Sequence, residues 1–176
     1  MTQKKSNSNS IIKRPSDLHV VSGPNYVDVQ KHKEYLLELD NEIISSTKHT
    51  FPFKDVTELA DFFLVEHQSI TNLWVDKKGV VVGYFSYIEK PDKEGRVELL
   101  NIGVLPTFLR RGYAQEMMKY YFNLMRKRGY KKSKLVTDPK NTPARKLYEK
   151  LGYIYTDLLK DYYGPGRDRI LYIKEL

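Results

Sequence analysis

The run Leu109-Arg110-Arg111-Gly112-Tyr113-Ala114 sets two guanidinium side chains directly before a glycine and, two places on, a small residue. The segment it opens has the clearest helical periodicity in the chain. Ala114, Met117, Met118, Tyr121, Phe122 and Met125 form one apolar stripe at i, i+3, i+4, i+7, i+8 and i+11, and Gly129 stops it. A helix start exposes unpaired backbone N–H groups and the positive end of the helix dipole, which suits an anion. Gly112 lets a ligand approach the backbone, and Ala114 keeps the first turn narrow. The arginines can add charge-assisted hydrogen bonds to phosphate oxygens. The chemistry indicated is phosphate binding, although an ordinary helix start with solvent-facing arginines would read the same way.

A second run, Asn141-Thr-Pro-Ala144-Arg-Lys-Leu147-Tyr148-Glu-Lys-Leu151-Gly152-Tyr153, begins with a polar cap and a proline in the first turn. Ala144, Leu147, Tyr148 and Leu151 line one face of this helix, and one strand separates it from the first run. Glu98 lies fourteen residues before Gly112 on a strand-like stretch. Tyr162-Tyr163-Gly164-Pro165-Gly166-Arg167-Asp168 reads as a turn near the end, with Asp157 and Asp161 close by. These carboxylates could attract a cationic amine or be plain acidic surface.

Other chemistries are excluded or disfavoured. The chain has no cysteine, so thiolate nucleophiles, disulfides and cysteine-held metals are absent. His19, His32, His49 and His67 lack metal-ligand spacing, and no metal is expected. Met1–Ser10 is polar and does not read as a secretory signal. No segment approaches the roughly 18 apolar residues of a membrane span. A cytoplasmic protein with no membrane partner is expected.

The formal net charge is +8 over 176 residues, and its placement is uneven. Residues 110–134 hold nine Lys and Arg against the single acid Glu116. Such a segment suggests a polyanionic partner, either a phosphate-bearing cofactor or nucleic acid. A solvated helix face is the plainer alternative.

The elements that must hold these residues follow from periodicity. Residues 1–17 read as a disordered tail and 18–176 as one domain. His19-Val20-Val21 suggests a short strand closed by Ser22-Gly23-Pro24. Helices are expected around 28–45 (Tyr35, Leu36, Leu39, Ile43, Ile44) and around Val56, Leu59, Ala60, Phe63 and Leu64. Strands are expected at Ile70–Val75, Val80–Ile88, Val97–Val104, Lys134–Thr137, Tyr153–Leu159 and Arg169–Lys174. The order is βααβββαβαββ, an α/β fold with one mixed, mostly antiparallel sheet flanked by helices.

The two runs resemble the coenzyme A-binding motifs of the GNAT (general-control-related N-acetyltransferase) superfamily. The first family motif reads Gln/Arg-x-x-Gly-x-Gly/Ala, matched by Gly112 and Ala114, with Leu109 standing where Gln or Arg is usual. The second is matched from Asn141 to Tyr153, with tyrosine replacing the final phenylalanine. The element order is also the family's, and the resemblance covers roughly residues 19–176. It implies an N-acetyltransferase with acetyl-coenzyme A as donor and direct attack by a primary amine in a ternary complex. It implies a bulged strand Val97–Val104 splayed from Lys134–Thr137 to admit the pantetheine arm, and Gly103 is compatible with the bulge. Ile102 would polarise the acetyl carbonyl and Val104 would pair with the pantetheine. Leu109, Arg110, Arg111, Gly112, Tyr113 and Ala114 would wrap the pyrophosphate, with Asn141 and Ala144 in the second motif. Tyr148 would protonate the leaving thiolate, a task a phenol of pKa about 10 suits. Glu98 would take the amine's proton, directly or through ordered water. Tyr162 and Tyr163 resemble the last hairpin of members that modify protein N-termini. The acceptor is left open between a peptide and a small molecule such as a polyamine or an antibiotic. A basic nucleic-acid module is the less favoured reading, because Tyr121 lies on the apolar stripe and the Asn141 run would go unexplained. A chain that binds coenzyme A without turnover is a third reading.

Overall fold

A computed structural model of the chain describes residues 12–45 and 69–176. Seven strands form one sheet in the order β1-β2-β3-β4-β5-β7-β6. They are β1 Gly23–Val27, β2 Ile70–Val75, β3 Val81–Ile88, β4 Arg96–Val104, β5 Lys132–Thr137, β6 Ile154–Leu159 and β7 Arg169–Glu175. Three helices are described: α1 Lys33–Ser45, α2 Tyr113–Lys127 and α3 Thr142–Lys150. Every strand pair is antiparallel except β4–β5, which α2 joins as a parallel crossover. The helix expected around 56–64 lies outside the described residues, and the remaining order is the one expected from the sequence.

The two faces of the sheet carry separate cores. On one face α2 buries Met117, Met118, Tyr121, Phe122 and Met125 against Val82, Phe85, Val97 and Leu99. Each fully buried side chain of this size contributes roughly 1.5–3 kcal/mol. The polar tips are satisfied as well, since the Ser133 hydroxyl bonds Tyr121 at 3.1 Å and Tyr153 at 2.8 Å. On the other face α1 packs Tyr35, Leu36 and Leu39 against Val27, Leu73, Val75 and Tyr84.

Two expectations need correction. The first strand does not lie at His19–Val21. The Asn25 carboxamide accepts from Val21 N at 2.8 Å and donates to the Val21 carbonyl at 2.8 Å, turning the chain there. Gly23, at φ 99, completes the turn, so pairing with β2 begins only at Gly23 opposite Val75. The β4 bulge lies at Leu100, not Gly103. Asn101 pairs with Ser86 and Leu99 with Tyr87, which leaves Leu100 as the extra residue. Gly103 sits in register opposite Tyr84, and a Cβ on it would meet Ile43 Cδ1 at 2.8 Å. A side chain there would have to displace Ile43 of α1.

Of the tail expected over 1–17, residues 1–11 lie outside the described residues. Beyond them Ile12 packs against the α1 core, Arg14 donates to the Gly79 carbonyl at 3.3 Å, and Asp17 pairs with Lys31 at 2.9 Å.

Candidate functional site

The site is built around a gap in the sheet. β4 and β5 share only Arg96–Lys132, Val97–Ser133 and Glu98–Lys134. Beyond Glu98 β4 is bulged at Leu100 and stays paired with β3 as far as Val104 opposite Gly83, while β5 stays paired with β7 as far as Thr137 opposite Ile170. From Leu99 to Val104 one edge of β4 therefore has no strand partner in β5. This is the splay expected of Val97–Val104 and Lys134–Thr137. Ile102 is half-buried along this stretch and Val104 is buried at its end.

β4 runs on into the anion-binding junction. A short 3-10 turn at Pro106–Phe108 leads to Leu109, which is half exposed. Arg110 has φ 62 and Gly112 has φ 88, both left-handed, with Arg111 between them. Alternation of this kind curls successive N–H groups into one concavity. For a non-glycine residue such a conformation costs roughly 1–2 kcal/mol. No side chain caps the start of α2, and Gly112 has no atom within 4 Å of where a Cβ would stand. The Arg111 guanidinium lies 5.3 Å from the Phe108 ring centroid, and Phe108 meets Tyr113 edge-on. The first turn of α2, including Ala114, thus offers open N–H groups beside two cations.

The rest of the basic segment does not converge here. Arg128 pairs with Glu89, Lys132 with Glu175, and Lys134 with Glu98 and Asp92. Lys119 and Arg126, joined by Lys150 and Lys174, line a groove of about 510 Å³ floored by Phe122 and Leu151.

α3 follows β5 after a short turn. Asn141 caps it as the sequence suggested, its Oδ1 accepting from Ala144 N at 3.2 Å. Tyr148 is buried, its ring tilted against Tyr153 and Tyr172 at 5.9 and 6.1 Å. Burial, reinforced by Tyr172, pushes its phenol well above the ordinary value, so it is protonated at neutral pH. Its hydroxyl takes no hydrogen-bond partner among the described residues.

Glu98 belongs to the opposite face. Its neighbours Val97 and Leu99 pack with α2, and side chains alternate along a strand. Its carboxylate bonds Lys134 Nζ at 3.0 Å. Burial lowers the Lys134 pKa, but Glu98 and Asp92 outweigh it and hold the ammonium above its ordinary value. The phenols of Tyr162 and Tyr163 are raised chiefly by burial and then by neighbouring charge, Glu98 included. Their rings meet edge-on at 4.7 Å, and the Arg169 guanidinium covers Tyr163 at 5.0 Å. Glu98, Lys134, Tyr162 and Tyr163 therefore form one cluster, whereas Tyr148 lies in the core on the α2 side. Asp161 and Asp168 serve the turn instead, accepting from Gly166 N at 2.6 Å and Asp161 N at 2.9 Å.

A buried polar chain that no sequence motif marks lies on the α1 face. Asp40 of α1 accepts from the Tyr84 hydroxyl, and Asn101 Nδ2 donates to that hydroxyl at 2.5 Å. A signal existed, because Asp40 falls on the stripe of Leu36, Leu39 and Ile43. Among the described residues no group of His, Asp and Glu could hold a metal, and no helix is long and apolar enough to cross a membrane.

The sequence profile of the Acetyltransferase (GNAT) family matches residues 35–153. Over 65 residues the chain is 34% identical to a [Ribosomal protein bS18]-alanine N-acetyltransferase of Haemophilus ducreyi, covering 37% of this chain and 45% of the relative. It is 31% identical over 81 residues to the N-acetyltransferase YsnE of Bacillus subtilis, covering 45% and 53%. The chain spans about half the length of these curated relatives. Among solved structures, a GNAT acetyltransferase from Elizabethkingia anophelis with acetyl-CoA bound superposes at TM-score 0.60, 24% identity, over 71% of this chain and 84% of that one. A single-residue mutant of the spermidine N-acetyltransferase SpeG of Vibrio cholerae gives 0.66 at 15% identity, over 86% and 92%. A chain of the NatC complex bound to Gag peptide and CoA gives 0.65 at 19%, over 87% and 97%. With the profile spanning both motifs and the strand splay between them, the chain belongs to the GNAT acetyltransferase family.

Proposed function

We propose that the chain transfers an acetyl group from acetyl-coenzyme A to a primary amine by direct attack in a ternary complex, with a peptide α-amine as acceptor. The observation that carries this reading is the parting of β4 from β5 beside an uncapped helix start with left-handed residues at Arg110 and Gly112. A slot with an unpaired strand edge fits an extended arm of amides, and the adjoining N–H groups fit a pyrophosphate.

Leu109, Arg110, Arg111, Gly112, Tyr113 and Ala114 hold the pyrophosphate. Val104 pairs with the pantetheine amides, with Asn141 and Ala144 on the facing wall. The N–H of Ile102 polarises the acetyl carbonyl, where charge develops during attack. Glu98 accepts the proton that the amine nitrogen gives up, directly or through water. Tyr148 supplies a proton to the departing sulfur as the C–S bond breaks and the N–C bond forms. Acid and base stand on opposite sides of the sheet, so neither proton transfer obstructs the other. Tyr162 and Tyr163 border Glu98, where an acceptor peptide would lie, and this supports a peptide over a small amine. The name of the Haemophilus relative and the peptide in the NatC structure point the same way.

Incubation with acetyl-coenzyme A and a peptide library, read by mass spectrometry, tests the acceptor. α-Amine acetylation in preference to free lysine is expected. Modification of polyamines or antibiotics alone overturns the peptide assignment.

A further inference from the structure

Asp40 is a carboxylate only 9% exposed, and it forms no ion pair among the described residues. An ionised carboxylate only accepts hydrogen bonds, so the Tyr84 hydroxyl must donate to it. The Tyr84 oxygen is then an acceptor, and the Asn101 amide must turn its NH2 toward it, as the 2.5 Å contact records. Asp40 thereby fixes which way the Asn101 amide points. The Asn101 carbonyl Oδ1 faces away from Tyr84 and has no partner among the described residues.

Asn101 stands within the stretch of β4 that β5 leaves unpaired. It follows the bulge residue Leu100 and precedes Ile102, where β4 has already left β5. Gly103, two residues on, faces Ile43 of α1, so Asn101 points to that same face, as Glu98 does. It is half-buried, between the interior Asp40–Tyr84 pair and the side opposite Tyr148.

We propose that the Asn101 carbonyl receives an N–H of the acceptor amine, with Tyr84 and Asp40 as the positioning residues behind it. This rests on the acetyl-transfer reading above and names the group that orients its nucleophile. A neutral primary amine directs its lone pair at the acetyl carbon and keeps two N–H groups to be held. As the N–C bond forms the nitrogen becomes positive, and a carbonyl dipole backed by a buried anion favours that charge. The subsite favours an amine, which as an ammonium or as the charged attacking nitrogen presents two or more N–H groups and a positive charge to the carbonyl dipole and the Asp40 carboxylate, over a neutral amide nitrogen with a single N–H.

The test is binding, measured on the full chain in its coenzyme A complex by fluorescence anisotropy. The probes are a labelled tetra-alanine peptide with a free α-amine and its N-acetylated counterpart. Wild-type protein should bind the free amine at least tenfold more tightly than the acetylated peptide. Asn101→Leu and Asn101→Ala should each remove most of that difference, and Tyr84→Phe should reduce it about threefold. Coenzyme A affinity by calorimetry should stay within twofold in all three. Undiminished discrimination in both Asn101 variants overturns the proposal, as does a wild type that does not discriminate. Loss of coenzyme affinity in parallel overturns it in favour of a structural role. If the free amine binds selectively but is never acetylated, the transfer reading fails and the amine subsite stands.

Discussion

Gly112 offers the sharpest test of the cofactor placement, because the cost of changing it to the fold and to the ligand can be separated. Its φ of 88 makes any side chain strained, yet a Cβ there meets nothing within 4 Å. The penalty of Gly112→Trp for folding is therefore backbone strain alone, roughly 1–2 kcal/mol. For a chain of this size that lowers Tm by about 2–8 °C. The five buried side chains of α2 keep the helix docked. For the ligand the same open space is the approach to the amides. Losing two charge-assisted backbone hydrogen bonds at about 1.5–3 kcal/mol each weakens binding at least a hundredfold. Gly112→Ala carries the same strain with one methyl group in the opening, so it should melt like the tryptophan variant but lose less than tenfold in affinity. Calorimetry with acetyl-coenzyme A, alongside thermal melts, reads both quantities. A folded tryptophan variant that binds within threefold of wild type would refute the placement of the pyrophosphate.

Two further outcomes follow from individual side chains. Tyr148→Phe keeps the ring packed against Tyr153 and Tyr172, so acetyl-coenzyme A affinity should hold while kcat falls about a hundredfold, roughly 2.7 kcal/mol; a near-normal kcat where chemistry limits the rate would assign the thiolate's proton to another donor. Burial raises Asp40 to about 6 from 3.8, so its contribution to stability is full below 3.8 and is lost as pH rises through about 6. Asp40→Asn, which can still accept from Tyr84, should melt several degrees above wild type at pH 8, with the gap closing by pH 4, and a pH-independent difference would contradict this.

The parts of the site that were legible in the sequence are those with a local cause. The α2 stripe and the Asn141 cap each depend on residues within a few positions, and β2 runs over Ile70–Val75 as expected. What was misplaced depends on distant partners. The valines of His19–Val21 have strand propensity, but the Asn25 side chain takes the Val21 backbone groups that a ladder would use. Gly103 faces Ile43 of α1, and nothing near it in sequence reveals that contact. The bulge at Leu100 has no compositional mark, since leucine sits equally well in a regular strand. Asp40 was visible only as a polar interruption of an apolar stripe, and its meaning required Tyr84 and Asn101 from other strands.

The slot follows from how the sheet is divided. β4 is held along β3 from Gly83 to Ile88, and β5 is held along β7 over its whole length. Between them only three residue pairs join the halves β1–β4 and β5–β7–β6. Opening the strands beyond Glu98 therefore breaks no ladder hydrogen bond, because none exists there. On the proposed function an arm carrying amides would supply the partners that the β4 edge lacks and would bind as an added strand does, through backbone groups. Discrimination between acceptors cannot come from the same groups, since a backbone slot reads only the donor. On the proposed function it would come from side chains on the α1 face, which carries the Glu98–Lys134 pair and the Asp40–Tyr84–Asn101 chain.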